Sequence, residues 1–142
     1  LPSRVIKTDA HFAALVHLLA GLKRPFTAEW RAGADRTLEQ NALMWKWAGE
    51  AASQLGDRSA GEIQAEWKLT LGVPILRSEN EGFCAFYDKT IKPLSYPEKL
   101  DAMGYLPVSS IMTVPQMRQL MDAIERQAAG NGIRLTIPED RA

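Results

Sequence analysis

Apolar positions recur every three to four residues over most of this chain, the period of an amphipathic helix. Thr8 or Asp9 caps the first such stretch, whose stripe is Phe12, Leu15, Val16, Leu19 and Leu22; Gly21 and Pro25 mark its end. A second helix is predicted over roughly 37–55, with Thr37 as cap and Gly56-Asp57 as stop. Its core stripe reads as Leu38, Ala42, Trp45, Ala52 and Leu55. Trp47 falls with Arg36, Gln40 and Leu43 on a neighbouring face, because helical positions two apart point in different directions. Ser59 followed by Glu62 is a capping box that opens a helix over about 59–71. Ile63, Trp67 and Leu71 face inward there, and Gly72-Val73-Pro74 ends it. Phe83, Phe86, Tyr87 and Ile91 fit a helix from about 80 to 92, and a short one is predicted at 97–103. Thr113 with Gln116 is another capping box, with Pro115 in the first turn. Met117, Leu120, Met121, Ile124 and Ala128 then keep the helical period until Gly130-Asn131-Gly132.

A period of two suggests short strands at Phe26–Arg31 and Ile133–Ile137, and Arg4–Lys7 is a further candidate strand. The expected fold is therefore α+β: a helix-rich single domain spanning 1–142 with a small sheet, a strand-helix-strand start and a long C-terminal helix. The proline-punctuated span 77–107 reads as a surface excursion, and Pro138–Ala142 as a frayed tail.

Composition narrows the function. The chain has 142 residues, enough for one domain with a real core, and is 46% hydrophobic and 24% charged. Lys and Arg together number 17, as do Asp and Glu. A neutral chain is not a simple electrostatic coat for DNA, but it can carry a local basic groove or assemble one across a dimer. Cys84 is the only cysteine, so an internal disulfide is excluded and a reducing cytoplasm is the expected compartment. No apolar run reaches the length of a membrane span, and Leu1-Pro2-Ser3-Arg4 lacks signal-peptide character.

Catalytic chemistry is sparse. His11 and His17 lie on different faces of one helix, outside the spacing of a local two-histidine metal site. Cys84 has no histidine near it in sequence, and Gly130-Asn131-Gly132 follows a helix where a phosphate loop would precede one. Glu66-Trp67-Lys68, with Asp57 upstream, matches the E-x-K fragment of a common nuclease motif. That fragment belongs on a strand, whereas here it falls in a helical pattern. The expectation is a protein that is not an enzyme and has no cofactor, metal site or catalytic residue.

Arg36-Thr37-Leu38-Glu39-Gln40-Asn41, followed by Leu43-Met44-Trp45-Lys46-Trp47, is the most informative string. Asn is a poor helix former, yet Asn41 sits inside a helical pattern beside a second amide, Gln40. A basic, amide-bearing, aromatic helix face is the kind of surface that holds a nucleic-acid strand. Arg31, Arg36, Gln40, Asn41, Lys46 and Trp47 are the candidate DNA-binding residues. A structural reading stands beside it: both tryptophans in the core, Asn41 bonded to a neighbouring loop, and Arg36 paired with Asp35 or Glu39.

This string resembles that of the NinB family of phage recombination proteins, which carries Arg-Ser-Leu-(Asp/Glu)-Gln-Asn and then Leu-Trp. The resemblance continues at Glu66-Trp67-Lys68 and at Ser110-Ile111-Met112-Thr113, and through the final helix to Gly132-Ile133. It departs between about Arg77 and Leu106, a longer and proline-rich stretch. The resemblance implies a homodimeric, non-catalytic α+β protein. Such a protein binds single-stranded and gapped DNA, assists recombinase loading and contacts the host single-strand-binding protein. Arg36, Gln40, Asn41 and Trp45 are the positions that match the family motif. A metal-dependent nuclease acting on recombination intermediates, and an interaction adaptor without DNA affinity, are the alternatives.

Overall fold

A computed structural model describes residues 4, 6–29 and 36–139, and the side chains of all of these except 36–38. The chain divides into two compact units, Leu1–Arg36 and Thr37–Ala142.

The first unit is built on α1, Asp9–Gly21. The Thr8 hydroxyl accepts from the His11 backbone N–H at 3.1 Å and so fills one of the donors that a helix start leaves open. None of its residues is buried. Phe12, Val16, Leu18 and Leu22 are all exposed, so the expected stripe exists as helix but without burial. The strands expected on either side are not found: Arg4, Ile6, Lys7 and residues 26–29 are irregular, while Val5, Trp30 and Arg31 lie outside the described residues. Alternation proposes a strand, but a strand persists only with a partner to take its backbone bonds.

The second unit is built of helices and their connections, with a non-helical segment after the last helix. α2 runs Arg36–Leu55, and Gly56 (φ 75°) closes it. Thr37 therefore lies in its first turn, where it was expected to precede the helix. α3, Ala60–Trp67, starts on the capping box of Ser59 and Glu62. The helical path does not end at the expected Gly72-Val73-Pro74 stop. A π turn, Lys68–Gly72, passes into α4, Val73–Glu79, and leaves Pro74 in that helix's first turn, where its missing N–H breaks no helical bond. The wider turn also shifts the inward face. The buried positions are Ile63, Gln64, Trp67, Leu69, Gly72, Val73 and Leu76, and the expected Leu71 is only half-buried. Asn80 caps α5, Glu81–Phe86, which continues into a second π turn at Tyr87–Ile91. α6, Tyr96–Ala102, and α7, Val114–Gly130, each start on a capping box.

One hydrophobic core joins these helices. Met44, Trp47, Leu76, Met103, Val108, Met117, Leu120, Met121 and Ile124 are its largest fully buried side chains. The span 77–107 was expected as a surface excursion. It instead supplies Phe83, Tyr87, Ile91 and Met103 to this core. Arg77 ties α4 to the second π turn: its Nε donates to Asp88 Oδ1 at 2.9 Å, and its guanidinium lies 5.5 Å from the Tyr87 ring centroid. Cys84 is half-buried, and its thiol donates to Asp88 Oδ2 at 3.6 Å.

The expected α+β class is thus corrected to all-α: among the described residues there is no strand or sheet. The segment 133–137 shows why. It is extended, but the Ile133 N–H bonds the Ala128 carbonyl of α7, and the backbone bonds of Arg134 and Thr136 go to side chains of α2 and not to another strand. None of the described helices is long and apolar enough to cross a membrane.

Candidate nucleic-acid interface

α2 presents three distinct faces. Its inward face is Met44, Trp47, Ala48 and Ala51, spaced i, i+3, i+4, i+7 and buried almost completely. Its solvent face includes Ala42, Trp45, Lys46, Gly49 and Ser53. Glu50 and Gln54 lie along the edge that holds the extended tail.

The tryptophans are therefore exchanged relative to expectation. Trp47, expected on the DNA-binding face, is 0% exposed, and its indole Nε1 donates to the Thr136 carbonyl at 2.7 Å. It cannot stack a base from that position. Trp45, expected in the core stripe with Ala42 and Leu55, is 51% exposed, and Leu55 is exposed as well. The helical period allows either stripe. Packing selects the one in which Ala48 and Ala51 permit close helix approach and the buried indole finds a carbonyl for its N–H.

The other candidates sit as follows. Arg31 lies outside the described residues, and Arg36 is the first residue of α2, with its side chain outside them. Gln40 and Asn41 are half-buried in the first turns of α2. The Gln40 Oε1 atom is buried without a hydrogen bond among the described residues, a costly state for an amide oxygen. Lys46 is exposed next to Trp45. The structure thus places Lys46 with Trp45, and moves Trp47 away from them. The signal that sequence reasoning missed is the pair of small residues flanking Trp45 along the helix. Ala42 and Gly49, one turn before and after it, leave the indole flanks uncovered.

The tail edge was not foreseen at all. The Arg134 N–H donates to Gln54 Oε1 at 2.8 Å, and the Gln54 amide returns a bond to the Arg134 carbonyl at 2.6 Å. The Thr136 N–H and hydroxyl both donate to the Glu50 carboxylate, the first at 3.0 Å. Burial raises the Glu50 pKa, but the bonds from Thr136 and the nearby Lys46 charge outweigh it and hold it below the ordinary 4.5. A lowered carboxyl pKa stabilises the folded state above the ordinary value, and that contribution fades as pH falls through the lowered one. Acidification below about pH 4.5 is accordingly expected to loosen the tail. Amide protection at Thr136, followed by hydrogen exchange from neutral pH downward, should fall before that of α7. A Thr136 amide as protected at pH 3 as at pH 7 would contradict it.

The nuclease fragment is differently engaged. Glu66 lies on α3 with its carboxylate paired to the Arg58 guanidinium, which also bonds Asp57 at 3.1 Å. Trp67 is buried. Lys68 begins the π turn, and desolvation lowers its pKa. Among the described residues, no three His, Cys, Asp or Glu side chains converge as a metal site would require.

Comparison of the chain with known protein families, with curated proteins and with solved structures gave no match.

Proposed function

We propose that this chain is a phage or prophage recombination accessory protein that binds single-stranded or gapped DNA and assists recombinase loading. The strand-contacting surface in this reading is the solvent face of α2. The observation that carries it is the open Trp45 indole beside Lys46, just past the Arg36–Asn41 string. An exposed indole offers a stacking surface to any base, and an adjacent ammonium meets phosphate. The reading draws on that string and that face and not on the fold, because the NinB resemblance implies a sheet and the described residues have none. It includes a homodimer, contact with the host single-strand-binding protein, a cytoplasmic setting and no catalytic role.

Fluorescence anisotropy with labelled single-stranded DNA at two salt concentrations tests it, alongside incubation with magnesium or manganese. Binding that weakens as salt rises, with the DNA left intact, is the expected result. Absence of binding at low salt favours the adaptor alternative, and divalent-dependent cleavage lost in Glu66→Ala favours the nuclease.

Two further outcomes follow from the same reading. In this reading Arg36, the first residue of α2, meets a phosphate at the positive end of that helix. Arg36→Ala is expected to weaken strand binding by about 1 kcal/mol and to lower the salt slope by roughly one. A lower melting temperature with an unchanged slope would make Arg36 structural. Light scattering at micromolar concentration should give the mass of a dimer, and a monomeric mass counts against the two-fold assembly.

A further inference from the structure

We propose that the Trp47–Glu50–Gln54 edge of α2 is a receptor for extended polypeptide, filled at rest by the chain's own residues 133–137. The partner it fits in trans is an extended segment of the same pattern: apolar, any residue, apolar, then Ser or Thr. This inference is independent of DNA binding.

The seated tail shows what the edge selects. Gln54 pairs with both backbone groups of Arg134, as a neighbouring strand would. Glu50 and Trp47 divide the two backbone groups of Thr136, at 3.0 and 2.7 Å. Every bond but the one from the Thr136 hydroxyl reaches a main-chain atom, so another segment in the same register meets the same partners. Ile133 and Leu135 pack at the margin of the core and are only half-buried, so the seat for apolar side chains is shallow. The tail leaves α7 through a glycine cap, where the Ile133 N–H donates back to the Ala128 carbonyl at 2.9 Å. Gly132 takes φ +71°, which glycine adopts at little cost, directly after the end of α7. A tethered segment competes with a free one by effective concentration, which hides the receptor while the tail is seated.

Thr136→Pro in the full chain removes the N–H and the hydroxyl from the tail and leaves the α2 side chains unaltered. The probe is a fluorescein-labelled peptide with the sequence of residues 133–139, followed by anisotropy. Thr136→Pro is expected to bind it about tenfold or more tightly than the unaltered chain, because the tethered competitor is weakened. Adding Gln54→Ala should abolish that binding. Equal binding by both chains, no binding by either, or binding that survives Gln54→Ala would overturn the proposal. Loss of the helical circular dichroism signal in Thr136→Pro would also overturn it, since the tail would then be part of the core.

Discussion

Trp47→Ala is expected to destabilise the protein by about 3–5 kcal/mol, the cost of emptying a fully buried indole site. Two losses add. The core cluster to which Trp47 belongs is left with a cavity that the helices fill only in part. The Thr136 carbonyl loses its donor, and one clasp of the tail goes with it. Trp45→Ala, two positions away, removes an exposed ring and should stay within about 0.5 kcal/mol of the parent. Urea denaturation of the two variants measures the contrast. Equal destabilisation would mean that α2 is rotated relative to the arrangement described.

Gly72→Val is expected to cost about 3 kcal/mol through overpacking. Gly72 is buried in the first π turn. A Cβ built there would sit 3.1 Å from Val108 Cγ1, 3.5 Å from Met112 Cε and 3.8 Å from Leu120 Cδ2. Val108 and Leu120 are themselves fully buried and have nowhere to retreat. Valine adds two methyl groups beyond that Cβ. Alanine adds none and gains up to about 1 kcal/mol of helix propensity, so Gly72→Ala should be milder. Denaturation midpoints of the two variants that follow this order support the close approach of the π turn to the loop before α7. A valine variant as stable as the parent would refute it.

What the sequence made legible was local. Ser59 with Glu62 and Thr113 with Gln116 place helix starts, because a capping box is settled within four residues. The inward stripe of α7 follows its period without interruption, and Met117, Leu120, Met121, Ile124 and Ala128 are all buried. Errors arose where a non-local partner decides. Which stripe of α2 faces inward depends on the helices packed against it, and both candidate stripes satisfy the same period. Residues 133–137 alternate as a strand does, yet the side chains that bond the backbone of Arg134 and Thr136 come from α2, far away in the chain. The π turn at 68–72 shifts the buried face by one position, and Pro74 looked like a terminator only because a regular α-helix was assumed. For the candidate site, the string Arg36–Asn41 and the exposed Lys46 could be read from sequence, whereas the identity of the open tryptophan could not.

Whether Trp45 meets a DNA strand is tested most directly by the dissociation constant of labelled single-stranded DNA for Trp45→Ala against the parent, at one fixed low salt concentration, with the melting temperature of each recorded. Loss of a single stacked base is worth about 1–3 kcal/mol, so binding should weaken roughly five- to a hundredfold while the melting temperature stays put. An unchanged dissociation constant in a variant that melts with the parent would remove the solvent face of α2 as the strand-binding surface.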